Sequence, residues 1–156
     1  MTRESFIIHV EGCQKKFRRF LTALCCGDSQ LADDIAQESF IKAYLSSDGF
    51  DNPDKFNAWI FKIGYNTFLN YKRSCREPVG YDEALTIPAA NSADDLFRYQ
   101  ELYDALKRLS KRERTSLLLF YMEGYSIKEI AEMTDVSPDA VKQHLSRGRN
   151  HLRSFL

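Results

Sequence analysis

The residue types with the clearest chemical use lie towards the end of the 156-residue chain. Lys142, Gln143, Ser146, Arg147 and Arg149 are interleaved with Val141, Leu145, Gly148 and Leu152. The second set steps by four, three and four, the spacing of a single buried stripe on a helix. The first set then occupies the opposite face or its flanks, together with Asp139 and Asn150. Lysine and arginine reach phosphate oxygens or guanine edges, and glutamine bonds adenine. The chemistry offered is contact with duplex DNA. A bare amphipathic helix with a solvated basic face has the same pattern.

A second concentration lies at residues 56–73. Phe56, Trp59, Phe61, Tyr65, Phe68 and Tyr71 alternate with Lys62, Asn66, Asn70, Lys72 and Arg73. One helix has one face against its own core, so six aromatics are expected to exceed what a half-chain of this size can bury. Exposed rings, amides and cations are what unstacked bases require: stacking surfaces, edge hydrogen bonds and charge for the backbone. A protein-docking helix answers the same description. No paired carboxylates, nucleophile triad or glycine-rich phosphate loop accompanies these residues. Cys13, Cys25, Cys26 and Cys75 form no CxxC pair and have no histidine at ligand spacing, so no metal, cofactor or catalytic residue is expected.

The elements that must position these groups are helical throughout. Phe6, Val10, Cys13, Phe17, Phe20, Leu21 and Leu24 recur every three or four residues, and Gly27 stops the run. A second helix is expected from about Gln30 to Ser46. A third begins at Asn52-Pro53, a cap followed by proline at the first helical position, and runs to about Arg73. Residues 74–92 contain Pro78, Gly80, Pro88 and the small run Ala89-Ala90-Asn91-Ser92, and are expected to be a linker. Ser92…Asp95, Ser110…Glu113 and Ser126…Glu129 are capping boxes, and Ser137-Pro138 is a further start. Four helices are therefore expected over 93–109, 111–123, 127–133 and 138–154. The last two make a helix-turn-helix, with Ala131 at the close crossing and Asp135 taking the left-handed turn position that is usually glycine. The fold class is all-α. Two small helical domains, 1–75 and 93–156, are expected on either side of a flexible linker at 76–92.

Basic and acidic residues balance at 22 each, which by itself would argue against a nucleic-acid partner. The balance is not uniform. Residues 1–55 carry a net −2, 56–76 carry +4, 77–101 carry −5, 102–136 are neutral and 137–156 carry +3. The two basic segments coincide with the two stretches described above. Separated charge of this kind concerns partners rather than fold. The longest apolar run, Leu117 to Met122, is too short to span a bilayer, and the first residues form no signal-peptide core, so a cytoplasmic protein is expected.

Together the two halves resemble bacterial RNA polymerase sigma factors of the extracytoplasmic-function type, which contain only sigma regions 2 and 4. The resemblance rests on the run from Ala32 to Tyr44, on Phe50, and on Phe56-Asn57-Ala58-Trp59-Ile60-Phe61-Lys62-Ile63 to Asn66. In the second half it rests on Leu109, on Glu123 to Glu132, and on Val141-Lys142 with Arg147-Gly148-Arg149. It implies a subunit that binds core RNA polymerase through its largest and second-largest subunits and directs promoter-specific initiation. Asp34, Ile35, Gln37, Glu38 and Phe40 would dock on the largest subunit. Phe56, Trp59, Lys62, Tyr65, Asn66, Lys72 and Arg73 would melt and hold the −10 element, with Asn66 foremost in capturing a flipped base. Lys142, Gln143, Ser146, Arg147 and Arg149 would read the −35 element. A cognate anti-sigma factor is a further implied partner, and could hold the protein at the inner membrane. Two other readings stay open on sequence: a helix-turn-helix regulator of duplex operators, and a sigma-like interaction protein that binds no DNA. The aromatic-basic helix separates the first reading from the regulator, and the cationic face of the last helix separates it from the interaction protein.

Overall fold

A threonine oxygen begins the first helix: Thr2 caps α1 (Arg3–Leu24) by accepting from the Ser5 amide at 3.1 Å. The computed structural model describes residues 1–50, 52–74 and 93–155, with the side chains of 72–74 and 93–98 outside that description. The apolar stripe expected on α1 is buried at Phe6, Cys13, Phe17, Phe20, Leu21 and Leu24. Cys26 at φ 56° and Gly27 at φ 92° then turn the chain in the left-handed region. Asp28 caps α2 (Ser29–Leu45), and Asn52 caps a short 3₁₀ turn, Pro53–Lys55, that leads into α3 (Phe56–Ser74). Helices α1, α2 and α3 pack together around the rings of Phe17, Phe20, Phe56, Phe61 and Phe68. Gly64 makes the tightest approach: a Cβ there would stand 2.5 Å from the Phe17 ring, so only glycine lets α3 lie this close to α1.

The second half comprises α4 (Ala93–Lys107), α5 (Lys111–Leu117), α6 (Ile127–Thr134) and α7 (Pro138–Phe155). Both capping boxes expected within the described residues are formed, at Ser110…Glu113 and Ser126…Glu129. The box at Ser92 and the whole of 76–92 lie outside the described residues. The helix expected over 111–123 is α only as far as Leu117 and widens into a π turn over Leu118–Met122. The Glu123 amide closes that turn on the Leu118 carbonyl at 3.1 Å. An apolar run such as Leu117 to Met122 cannot report a change of helical pitch, because every position in it is equally hydrophobic.

The two halves share one core. Phe61 of α3 meets Tyr125, with ring centroids 5.9 Å apart. Arg114 of α5 donates through Nη1 to the Leu24 carbonyl at the end of α1, at 2.9 Å. Against this join, Lys62 of α3 and Asp135 of the helix-turn-helix pair at 3.4 Å. Among the described residues there is no strand, and no helix is long and apolar enough to cross a membrane.

Candidate nucleic-acid interface

Helix α7 starts with the Ser137 hydroxyl accepting from the Ala140 amide at 3.1 Å. Its stripe of Val141, Leu145 and Gly148 is buried. At Gly148 a Cβ would meet Leu117 at 2.8 Å, so the α5–α7 crossing depends on a missing side chain. Asp135 takes φ 56°, ψ 44°, the left-handed position anticipated for it, and its amide bonds the Ala131 carbonyl. Lys142, Gln143, Ser146 and Arg147 all stand exposed on the face away from that stripe. Arg149 is half-buried at the flank and donates to the Tyr121 hydroxyl at 3.1 Å. His144, on the side that faces the first half, is partly buried. Burial and the neighbouring Arg112 hold its pKa below the ordinary histidine value.

Helix α3 differs from expectation. Phe56, Phe61, Tyr65 and Phe68 are all buried, at 2 % exposure or less, so Phe56 and Tyr65 present no ring to a base. Trp59 and Tyr71 remain half-buried, so not all six rings are covered, yet more are covered than one half alone would allow. Here α1 and α2 cover one side of α3, and α6 covers another. Phe56 is enclosed by Phe6, Phe50 and Trp59, and Tyr65 shares a narrow crevice with Arg112, Ser116, Thr134 and His144 of the second half. Trp59 is half-buried and stacks on Phe50 at 4.2 Å and 8°. What α3 does expose is amide: Asn57, Asn66 and Asn70, with Lys62 half-exposed between them. Lys72 and Arg73 fall within α3, but their side chains lie outside the described residues.

On α2, Asp34 and Gln37 are exposed, whereas Ile35 is fully buried and cannot touch another molecule. Phe40 is half-buried between the Phe17 ring and the Arg18 guanidinium, so it braces α1 more than it faces outward. Glu38 is held by Lys42 at 3.0 Å and by the Tyr71 hydroxyl at 3.2 Å. Sequence reasoning missed the exposed apolar residues beside them, Ile41 at 60 % and Leu45 at 76 %. Their signal was available: both fall out of phase with the buried Ile35, Ala36, Ser39 and Ala43.

The comparisons with known proteins match the two halves of the chain separately. Residues 9–77 match the model for sigma-70 region 2, and residues 99–152 match that for sigma-70 region 4. The chain is 32 % identical over 145 residues to the ECF RNA polymerase sigma factor SigW of Bacillus subtilis, spanning 83 % of this chain and 78 % of that one. It is 29 % identical over 120 residues to the sigma factor SigV of the same organism, spanning 77 % and 72 %. Among solved structures it superposes on the sigma factor RpoE of Bartonella quintana, crystallised with the anti-sigma factor NepR. That match has a TM-score of 0.78 and 25 % identity, and covers 96 % of this chain and 95 % of that one. The fold is shared too with CnrH, solved with the cytosolic domain of CnrY, at a TM-score of 0.72 and 24 % identity over 98 % and 88 % of the two chains.

With sigma-70 regions 2 and 4 both matched in order, the chain is a transcription initiation factor of the sigma-70 class. Within that class, the chain belongs to the ECF RNA polymerase sigma factors. It directs transcription, and its second half is the DNA-binding region 4.

Proposed function

We propose that the chain binds core RNA polymerase and promoter DNA together, reading the −35 element through α7 and opening the −10 element at α3. The observation that carries this reading is the exposed set Lys142, Gln143, Ser146 and Arg147, held opposite the buried stripe of a helix whose turn is correctly formed. In this reading the chain supplies recognition and leaves phosphodiester chemistry to the polymerase, so it is not itself an enzyme, and it works in the cytoplasm. Region 2 would take residues 1–75 and region 4 residues 93–156, with 76–92 as the linker between them. Asp34, Gln37, Ile41 and Leu45 recur at helical spacing along the exposed side of α2, an acid-amide and apolar strip that suits the largest polymerase subunit, with Glu38 beside it. An anti-sigma factor is a third partner, by analogy with the complex of RpoE and NepR.

Run-off transcription with core polymerase from the host, on a pool of its promoters, tests the reading. Start sites that depend on the added chain are expected, and their absence would overturn it. Asn66, exposed on α3, is the amide that the sigma-factor resemblance assigns to capturing a flipped base. Asn66→Ala is expected to slow open-complex formation by about tenfold, within the few kcal/mol that base extrusion costs, while leaving core binding unchanged. Lost core binding instead would place the base-holding group elsewhere.

A further inference from the structure

One flank of α7 carries a row of cations that no acid neutralises. Arg149 and Arg153 follow Lys142 by seven and eleven positions, which at 3.6 residues per turn puts all three within about 20° of one line along the helix. Among the described residues none of the three forms an ion pair, whereas Arg18 and Arg19 of α1 face Asp33 and Glu123. What holds the two arginines is neutral. Arg149 Nη1 donates to the Tyr121 hydroxyl at 3.1 Å, and Arg153 Nη1 donates to the Asn150 side-chain oxygen at 3.4 Å.

Tyr121 is not part of the helix-turn-helix. It lies in the π turn after α5, four residues beyond Leu117, whose side chain fills the space a Cβ at Gly148 would need. Arg149 is the next residue on α7, so the crossing that seats Leu117 on Gly148 also brings the phenol to the guanidinium. The Tyr121 ring stands edge-on to the half-buried Phe120, with centroids 4.9 Å apart at 82°. The residue is nonetheless 60 % exposed, so burial does not account for its place beside α7.

An arginine on a helix surface samples many rotamers, and ordering it on a phosphate costs that freedom at the moment of binding. A partner that fixes the guanidinium beforehand removes part of the cost. A carboxylate would do so while cancelling the charge that draws the phosphate. A phenol orients the group and leaves its charge in place.

We propose that Tyr121 is a positioning residue for −35 recognition: its hydroxyl aims Arg149 at the DNA backbone, so a residue outside the helix-turn-helix sets how firmly the recognition helix grips phosphate. The inference rests on the promoter-reading function above and names a residue that serves it.

Promoter binding by holoenzyme, reconstituted from core polymerase and the full chain and measured at several salt concentrations, tests it. Tyr121→Phe keeps the ring against Phe120 and removes only the hydroxyl. It is expected to weaken binding about threefold, with the slope of log affinity against log salt and the urea midpoint of the chain both unchanged. Tyr121→Glu sets a carboxylate against the same guanidinium and is expected to reduce the salt slope by about one, as Arg149→Ala does. In the Arg149→Ala background, Tyr121→Phe should cost nothing further. A loss that persists in that background would make Tyr121 a DNA contact in its own right, and a loss accompanied by a lower midpoint would make it a packing residue. Either result overturns the proposal, as does a Tyr121→Phe chain that binds like the unmodified one. Unmodified holoenzyme whose binding ignores the −35 sequence would overturn the promoter-reading function, and this inference with it.

Discussion

Arg114→Met is expected to lower the stability of the chain by about 3 kcal/mol, seen as a lower urea midpoint and a broadened or divided transition. Arg114 is 7 % exposed and donates to three carbonyls from separate places: Leu106 at 2.9 Å, Leu24 at 2.9 Å and Leu109 at 3.3 Å. Two of these belong to the second half, and the third is at the end of α1. Leu106 also accepts from the Leu109 amide, so the loss falls mainly on Leu24 and Leu109. Each hydrogen bond to a charged group contributes about 1.5–3 kcal/mol, and each buried carbonyl left bare costs about 1–3. Methionine recovers part of this by removing a buried charge. Lysine would not, since it keeps the charge and places all its donors on one atom that cannot face three separated acceptors. Arg114→Lys should therefore be no more stable than Arg114→Met. If lysine restored the original midpoint, charge alone would explain the residue, and the three-carbonyl geometry would carry no weight.

Arg114 also shows where the sequence stops being readable. An arginine in Lys111-Arg112-Glu113-Arg114 looks like a solvated helix position, and nothing local distinguishes it from Arg112, which is exposed. Its burial follows from a contact ninety residues away in the chain. The same limit applies to Tyr65, which Arg112, Ser116, Thr134 and His144 of the second half enclose, and to the part of Phe61 that Tyr125 covers. By contrast, features set by neighbours in sequence were legible. Ser110 with Glu113 and Ser126 with Glu129 satisfy each other's amides within one turn. Asp135 is one of few non-glycine residues that takes a positive φ at low cost, and the periodicity of α7 gave both its buried stripe and its open face. The burial of Ile35 was open to the same argument, since it falls in register with Ala32, Ala36, Ser39 and Ala43.

The open face of α7 carries the other large effect: Lys142→Ala with Arg147→Ala is expected to reduce −35-dependent transcription about 100-fold, at roughly 1–3 kcal/mol for each contact. The two residues should fail differently. With 3.6 residues per turn, Gln143 and Arg147 lie one turn apart and nearly opposite the Val141–Leu145–Gly148 stripe, where a groove floor would be met. Lys142 is a quarter-turn towards the flank shared with Arg149, which Tyr121 already steadies from outside the helix. Flank positions meet phosphates, and central ones meet base edges. Lys142→Ala alone should therefore weaken all promoters alike and reduce the slope of log affinity against log salt by about one. Arg147→Ala alone should keep more of that slope and lose discrimination at one base pair containing guanine, given the bidentate fit of arginine to its O6 and N7. Measuring both variants on a promoter and on a −35 library at several salt concentrations separates the roles. Equal loss of salt slope with no change in preference would place both side chains on the backbone, and leave Gln143 and Ser146 to read the sequence.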